Sequence, residues 1–147
     1  MDNYIVRSAN EYNEIKRLIY EFDTVFTPNL SERIPDLKEY IDKLFHRAKI
    51  LVIEENSEYI GFAAIYTNKQ TRTAYLSQIG IREERQNTRM GTLLLLSCIE
   101  ISKKLNMSKL KLEVISTNDR AIKFYIKNGF EFYRNATQES IYMIKNI

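Results

Sequence analysis

The sequence predicts an α/β fold (α+β in its arrangement of elements), a single domain over residues 1–147 built as a mixed sheet with helices on its faces. Three observations carry this. Apolar residues recur at helical spacing as far as about residue 45 and then at strand spacing from 50 to 81. Turn residues cut the second stretch into three short strands, an antiparallel meander. A long helical pattern from 90 to 105, followed by a strand at 109–115, is the crossover that a parallel strand pair requires.

The elements follow in order. Ile5 opens a short strand. Ser8 with Glu11 has the spacing of a capping box, and behind it Tyr12, Ile15, Leu18, Ile19 and Phe22 make one helical face. Residues 27–30 read as a loop. A second helix is expected to start near Pro35, with Leu37, Tyr40, Ile41, Leu44 and Phe45 as its apolar face. Strands follow over 50–55, 59–66 and 74–81, separated by turns at Asn56-Ser57 and 68–71. The long helix places Leu94, Cys98, Ile101 and Leu105 on one side. A strand over 109–115, a short helix over 119–128 ended by Gly129, and strands over 130–133 and 140–144 complete the chain.

Composition narrows the setting. The chain is 44% hydrophobic and 28% charged, with a net charge of +3. Its longest apolar run, Leu93 to Leu96, is far short of the roughly 20 residues a membrane span needs, and the first residues carry no signal pattern. A lone cysteine, Cys98, has no internal partner for a disulfide, which favours a reducing, cytoplasmic location. The mild positive charge allows an acidic ligand without demanding nucleic acid, and neither nucleic acid nor membrane is expected as a partner. No Cys/His/Asp cluster has metal-ligand spacing, so no metal is expected. Cys98 reads as core, and His46 as a residue of a last helical turn, suited to the helix dipole.

Two segments carry the chemistry. After Ile79-Gly80-Ile81 a polar loop, Arg82 to Met90, leads into a helix at Gly91-Thr92. A helix N-terminus presents unpaired N–H groups and a positive dipole end, so it is an anion site that a diphosphate fits. Gly80 within a strand marks either a bulge and a close ligand approach or a simple packing contact. In the second segment, Leu110, Leu112 and Val114 share one face of a strand and Lys111, Glu113 and Ile115 the other. Glu113 is either a functional carboxylate or a residue on a wet part of that face. Asn118 or Thr117 can cap the following helix, which carries Tyr125.

These segments resemble the GNAT acetyltransferase superfamily. Gln86-Asn87-Thr88-Arg89-Met90-Gly91 is similar to its Q/R-x-x-G-x-G/A pyrophosphate loop, and Asn118, Ala121, Tyr125, Gly129 and Phe130 match its N-x-x-A-x-x-x-Y-x-x-x-G-F pattern without a gap. The motif is most similar to the ribosomal-protein alanine acetyltransferase branch. The resemblance implies a mostly antiparallel sheet with a splayed, parallel central strand pair and helices on both faces. It implies acetyl-CoA as cosubstrate, an amine acceptor, and transfer of acetyl directly from thioester to amine. It also implies roles. Glu113 is the general base, acting directly or through a water, and Tyr125 the general acid. Ile79, Gly80, Ile81, Gln86, Asn87, Thr88, Arg89, Met90, Gly91, Thr92 and Asn118 are the cofactor-binding positions, and the Ile81 amide faces the oxyanion.

One residue departs from the pattern. Arg89 stands where the family has its first glycine, which either costs about 1 kcal/mol if that position needs positive φ or adds a charge-assisted bond to a phosphate. Lys123 or Lys127 meets the remaining phosphate or is simply solvated. Phe22, Phe26 and Tyr142 either line the acceptor site or pack in the core. The alternative to an enzyme is a non-enzymatic acyl-CoA-binding or regulatory module of the same fold. The acceptor amine, small molecule or protein N-terminus, and the oligomeric state are not legible, although homodimers are common in families of this kind.

Overall fold

The computed structural model describes residues 3–147; Met1 and Asp2, which open the segment read above for a signal, lie outside the described residues. Strands β1 (Tyr4–Ser8), β2 (Lys49–Glu55), β3 (Glu58–Asn68), β4 (Thr73–Ile81), β5 (Lys109–Ile115), β6 (Glu131–Asn135) and β7 (Ser140–Asn146) form one sheet in the order β1-β2-β3-β4-β5-β7-β6. Strands β4 and β5 run parallel; the β1–β2, β2–β3, β5–β7 and β6–β7 pairings are antiparallel. Helices α1 (Tyr12–Glu21), α2 (Leu30–Arg33), α3 (Leu37–Arg47), α4 (Met90–Lys104) and α5 (Asp119–Lys127) connect them. The expected mixed sheet, mostly antiparallel with one parallel pair, is the observed one.

Three local expectations are corrected. The Ser8–Glu11 capping box does not form. Strand β1 stays paired through Ser8↔Leu51, and the Ala9 amide still donates to the Ile50 carbonyl, so the chain is extended past Ser8. Helix α1 begins only at Tyr12, with no side-chain cap at Glu11. Helix α3 begins at Leu37, two residues beyond Pro35, and is capped by Asp36, whose carboxylate accepts from the Glu39 amide. The segment read as a loop at 27–30 contains a cis Thr27–Pro28 peptide and runs into α2, whose Leu30 is fully buried. Asp23 holds this segment by accepting from the amide and hydroxyl of Ser31, each at 2.7 Å.

Two compact units divide the described chain, Met1–Ile65 with Gln78–Cys98 and Tyr66–Ser77 with Ile99–Ile147. In the first, every residue of β3 from Tyr59 to Ile65 is buried, so both faces of that strand are covered. Phe22, just past the end of α1, stands edge-on to Phe62 of β3, with centroids 5.4 Å apart, and Phe26 adds a second edge contact at 5.9 Å. Helices α1 and α3 meet through Tyr12, whose hydroxyl donates to Asp42 at 2.8 Å and whose ring stands edge-on to Phe45. In the second unit β5 alternates strictly. Leu110, Leu112 and Val114 are buried, and Lys109, Glu113 and Ile115 are exposed. That is the pattern of a sheet with one dry face and one wet face. Helix α4 is rotated from its expected face. Leu94, Leu95, Cys98, Ile99 and Ser102 are buried, while Ile101 and Leu105 are only half-buried. The run of four leucines puts an apolar side chain on every side of one turn, so spacing alone does not select the buried one there.

An ion cluster ties β1, α1, β2 and β3 together. The Arg7 guanidinium forks onto Glu14, with Nη1 and Nη2 at 2.9 and 2.7 Å, and its Nε donates to Glu54 at 3.0 Å. The Tyr59 hydroxyl donates to the same Glu14 carboxylate at 2.7 Å. Arg7 is the main reason the Glu14 carboxyl is held down at about 2, from an ordinary value of 4.5. A carboxyl with a depressed pKa stabilises the fold fully above its unfolded value and loses that contribution as pH falls towards its folded value. Glu14→Gln is therefore expected to lower stability at pH 7 by about 1–3 kcal/mol. It should also flatten the loss of stability between pH 4.5 and 2, read from urea midpoints across that range.

Candidate functional site

The predicted site residues fall into two groups, one in each unit. In the first unit β4 ends at Ile81 and the chain enters a short 3₁₀ turn, Glu83–Arg85. Two arginines anchor that turn. Arg82 donates to Glu21 at 2.8 Å, and Arg85 forks onto Glu55 at 2.6 and 3.1 Å. Gln86 then folds back, its side-chain amide donating to the Ile81 carbonyl at 2.9 Å and its backbone N–H to the Glu83 carbonyl at 3.2 Å. Gln86 thus fixes the loop to the end of the strand, and its own amide is already engaged there. Met90 is buried and anchors the far end of the loop.

Arg89 does not adopt positive φ. Among the described residues the non-glycine positions in the left-handed region are Asn56, Ser57, Arg72, Asn87 and Asn106, and the loop's turn is made by Asn87, at φ 62°. Asparagine tolerates that conformation better than most residues. Of the two readings of Arg89, the backbone penalty is absent. Its guanidinium is exposed and lies 3.5 Å from the Tyr4 hydroxyl. The first intrahelical bond into α4 runs from the Leu93 amide to the Arg89 carbonyl. The Met90 amide is engaged by the Thr88 hydroxyl oxygen at 3.4 Å, so the amides of Gly91 and Thr92 are the ones that precede the first intrahelical bond, the kind of donor a phosphate group requires.

Gly80 has a packing reason. A Cβ at that position would lie 2.7 Å from Cζ of Phe26. Phe26 covers the strand there, and Arg33 lies 5.9 Å from the Phe26 centroid while donating to Gln78 of β4 at 2.9 Å. Phe22 is fully buried and belongs to the core. A pocket of about 440 Å³ opens beside the loop, lined by Arg17, Glu21, Tyr59, Arg82 and Arg85. Its arginines are paired with Glu21 and Glu55, which leaves little charge for a ligand.

In the second unit β5 carries Glu113. The parallel register runs over four pairs, Thr73↔Lys109 to Leu76↔Leu112, and stops there, although β4 continues to Ile81 and β5 to Ile115. On its other side β5 pairs with β7 through Ile115↔Ser140. Glu113 is exposed, on the wet face of the strand, and it accepts a hydrogen bond from the Ser140 hydroxyl at 2.6 Å. Ser140 is itself buried and lies 2.8 Å from the Thr137 hydroxyl. Asn118 caps α5, its side-chain oxygen accepting from the Ala121 amide at 3.2 Å. Tyr125 is half-buried between the edges of Phe124 and Phe130, with centroids 5.4 and 5.7 Å away. Gly129 takes φ 92° and ends the helix as expected. The Ser140–Glu113 contact depends on the β5–β7 register, which no local sequence signal announces.

Burial pushes the Cys98 thiol up to about 12, so it is no nucleophile. His46 donates from Nδ1 to the Asp42 carbonyl at 2.8 Å. Among the described residues no group of three His, Cys, Asp or Glu could hold a metal ion, and no helix is long and apolar enough to cross a membrane.

Comparison with known proteins follows the same lines. The model of the acetyltransferase (GNAT) family matches residues 14–130. The PaiA N-acetyltransferase from Thermoplasma acidophilum, solved in complex with coenzyme A, is similar with a TM-score of 0.77 and 21% identity, over 98% of this chain and 99% of that one. The ribosomal-protein-S18-alanine N-acetyltransferase from Escherichia coli is similar with a TM-score of 0.78 and 22% identity, over 98% and 94%. A Bacillus subtilis acetyltransferase in complex with CoA gives 0.74 and 16%, over 98% and 99%. At these identities the likeness is one of fold. No curated protein matches the chain.

The packing role of Gly80 is testable without any ligand. Gly80→Ala is expected to cost about 1–3 kcal/mol, because the Phe26 ring must move. In a Phe26→Ala background the same substitution should cost much less, as urea denaturation of the four-member cycle will read.

Proposed function

We propose a function from one premise: the chain belongs to the acetyltransferase (GNAT) family. Residues 1–147 act as one acetyltransferase domain that moves an acetyl group from acetyl-CoA directly to a primary amine, on a small molecule or a protein N-terminus. The observation that carries this reading is the family match over 14–130, which includes the β4–α4 loop and both Glu113 and Tyr125. The end of the β4–β5 ladder and the open first turn of α4 support it.

Each part of the chain has a role in this reading. The amides of Ile79 and Ile81 bond the pantetheine arm as a strand partner would. The amides of Gly91 and Thr92, with the turn at Asn87 and Thr88 that also engages the Met90 amide and the charge of Arg89, hold the pyrophosphate. Gln86 and Asn118 shape the site by fixing the loop and capping α5. Gly80 admits Phe26 against the strand. The Ile81 amide faces the oxyanion of the tetrahedral intermediate. Glu113, directly or through a water, takes a proton from the incoming ammonium, since only the neutral amine attacks. Tyr125 returns a proton to the departing thiolate. A lone buried thiol suits a reducing cytoplasm.

Two substitutions test the assignments. Tyr125→Phe is expected to lower kcat about a hundredfold while acetyl-CoA affinity stays within a few-fold. Glu113→Gln should flatten the acidic limb of the pH–rate profile. Free-thiol release during an amine and peptide screen reads both. Full activity with an unchanged profile in both variants would show that these residues are not the acid and base. Acetyl-CoA binding without turnover on any amine would favour a non-enzymatic acyl-CoA-binding module.

A further inference from the structure

The wet face of the second unit carries an unusual distribution of charge around Glu113. Residues 66–77 and 99–147 contain eleven lysines and arginines against five carboxylates, whereas the rest of the chain contains eleven against fourteen. Two of those cations sit beside Glu113 and make no ion pair among the described residues. The Lys111 ammonium lies 4.8 Å from the centroid of Tyr142 and 5.9 Å from that of Tyr75. The Arg134 guanidinium lies 5.7 Å from Tyr142 and 5.3 Å from Tyr133. The register explains the gathering. Tyr75 pairs with Lys111, Glu113 with Tyr142, and Tyr142 with Arg134, and directly opposed residues share a face. Burial first, then the nearby Glu113 charge and Tyr142, push the Tyr75 phenol up to about 12, as expected if these groups face one another.

Glu113 has one oxygen engaged by Ser140. Its carboxylate is the negative group of the row, between Lys111 two residues along the same strand and Arg134 two strands away. Strand spacing puts these cations about 7 to 10 Å from Glu113. A simple or polycationic amine approaching Glu113 would meet two like charges. An amine that also carries an anion would meet an opposite charge at each end. We infer that the acceptor is a primary amine bearing a carboxylate or phosphate group, with Glu113 receiving the amine and Lys111 and Arg134 the anion on the platform of Tyr142. This rests on the acetyl-transfer reading above and adds the class of acceptor. The step is the transfer already proposed. The amine nitrogen bonds to the acetyl carbon, the carbon–sulfur bond breaks, the ammonium proton leaves through Glu113 and the thiolate takes a proton.

Steady-state kinetics on matched acceptors test it. One pair is a free-N-terminus peptide with aspartate at its third position and the same peptide with asparagine. The other is an aminoalkyl phosphate and the matching aminoalcohol. The anionic member of at least one pair should have a kcat/KM about tenfold higher at low salt, falling as salt screens the exposed charges; the pair that responds identifies a peptide carboxylate or a small phosphate as the source. Arg134→Ala and Lys111→Ala should each reduce that ratio about three- to tenfold, mainly through KM, as expected for exposed charges. Equal rates within both pairs, a preference for the neutral members, a ratio unchanged in both variants, or turnover confined to other amines would overturn the inference while leaving acetyl transfer intact. No turnover on any amine would remove the proposed activity and this inference with it.

Discussion

Four residue pairs, Thr73↔Lys109 to Leu76↔Leu112, join β4 to β5 in parallel, whereas β5–β7 and β6–β7 pair antiparallel. This short ladder fixes the register of β5, and β5 in turn sets the faces of β7 and β6. Side chains alternate along a strand, so a slip of one residue would turn Leu110, Leu112 and Val114 to water and bury Lys111 and Glu113. Burying an unpaired carboxylate costs several kcal/mol, which makes that slip prohibitive. The same ladder ends before either strand does.

The first unit reaches its loop geometry by a different route, through charged anchors. Arg82 and Arg85 hold the start of the loop to Glu21 and Glu55, Gln86 closes it onto Ile81, and Met90 buries its far end. Asn87 supplies the left-handed turn, so the loop does not need a glycine where Arg89 stands. The departure of Arg89 from the family pattern thus changes the charge of the loop and leaves its backbone unstrained.

Much of this was legible in the sequence because the determinants are local. The period change, the turn residues and Gly129 set most strand and helix bounds to within two residues. The misses share a cause. Ser8 looks like a cap, but pairing with Leu51 holds it in a strand. Leu93 to Leu96 hide the buried face of α4, because four consecutive apolar residues circle a whole turn and mark no side. Glu113 was readable as either a wet or a functional residue with Lys111 on the same face, and its exposure, the Ser140 contact and the placing of Tyr142 and Arg134 became visible only with the β5–β7–β6 register. That register joins residues as far apart in sequence as Glu113 and Tyr142, and no window on the chain contains it. Gly80 was open between a ligand and a packing role, and Phe26, 54 positions earlier in the chain, supplies the packing.

Binding of acetyl-CoA at the β4–α4 junction is the central claim, and calorimetric titration of the purified protein tests it most directly, with dephospho-CoA and ATP as controls. Saturable binding of acetyl-CoA with a Kd on the order of micromolar is expected, weaker for dephospho-CoA and much weaker for ATP. No saturable heat with acetyl-CoA, or equal affinity for ATP, would contradict it, and the loop would then be only a corner between a strand and a helix.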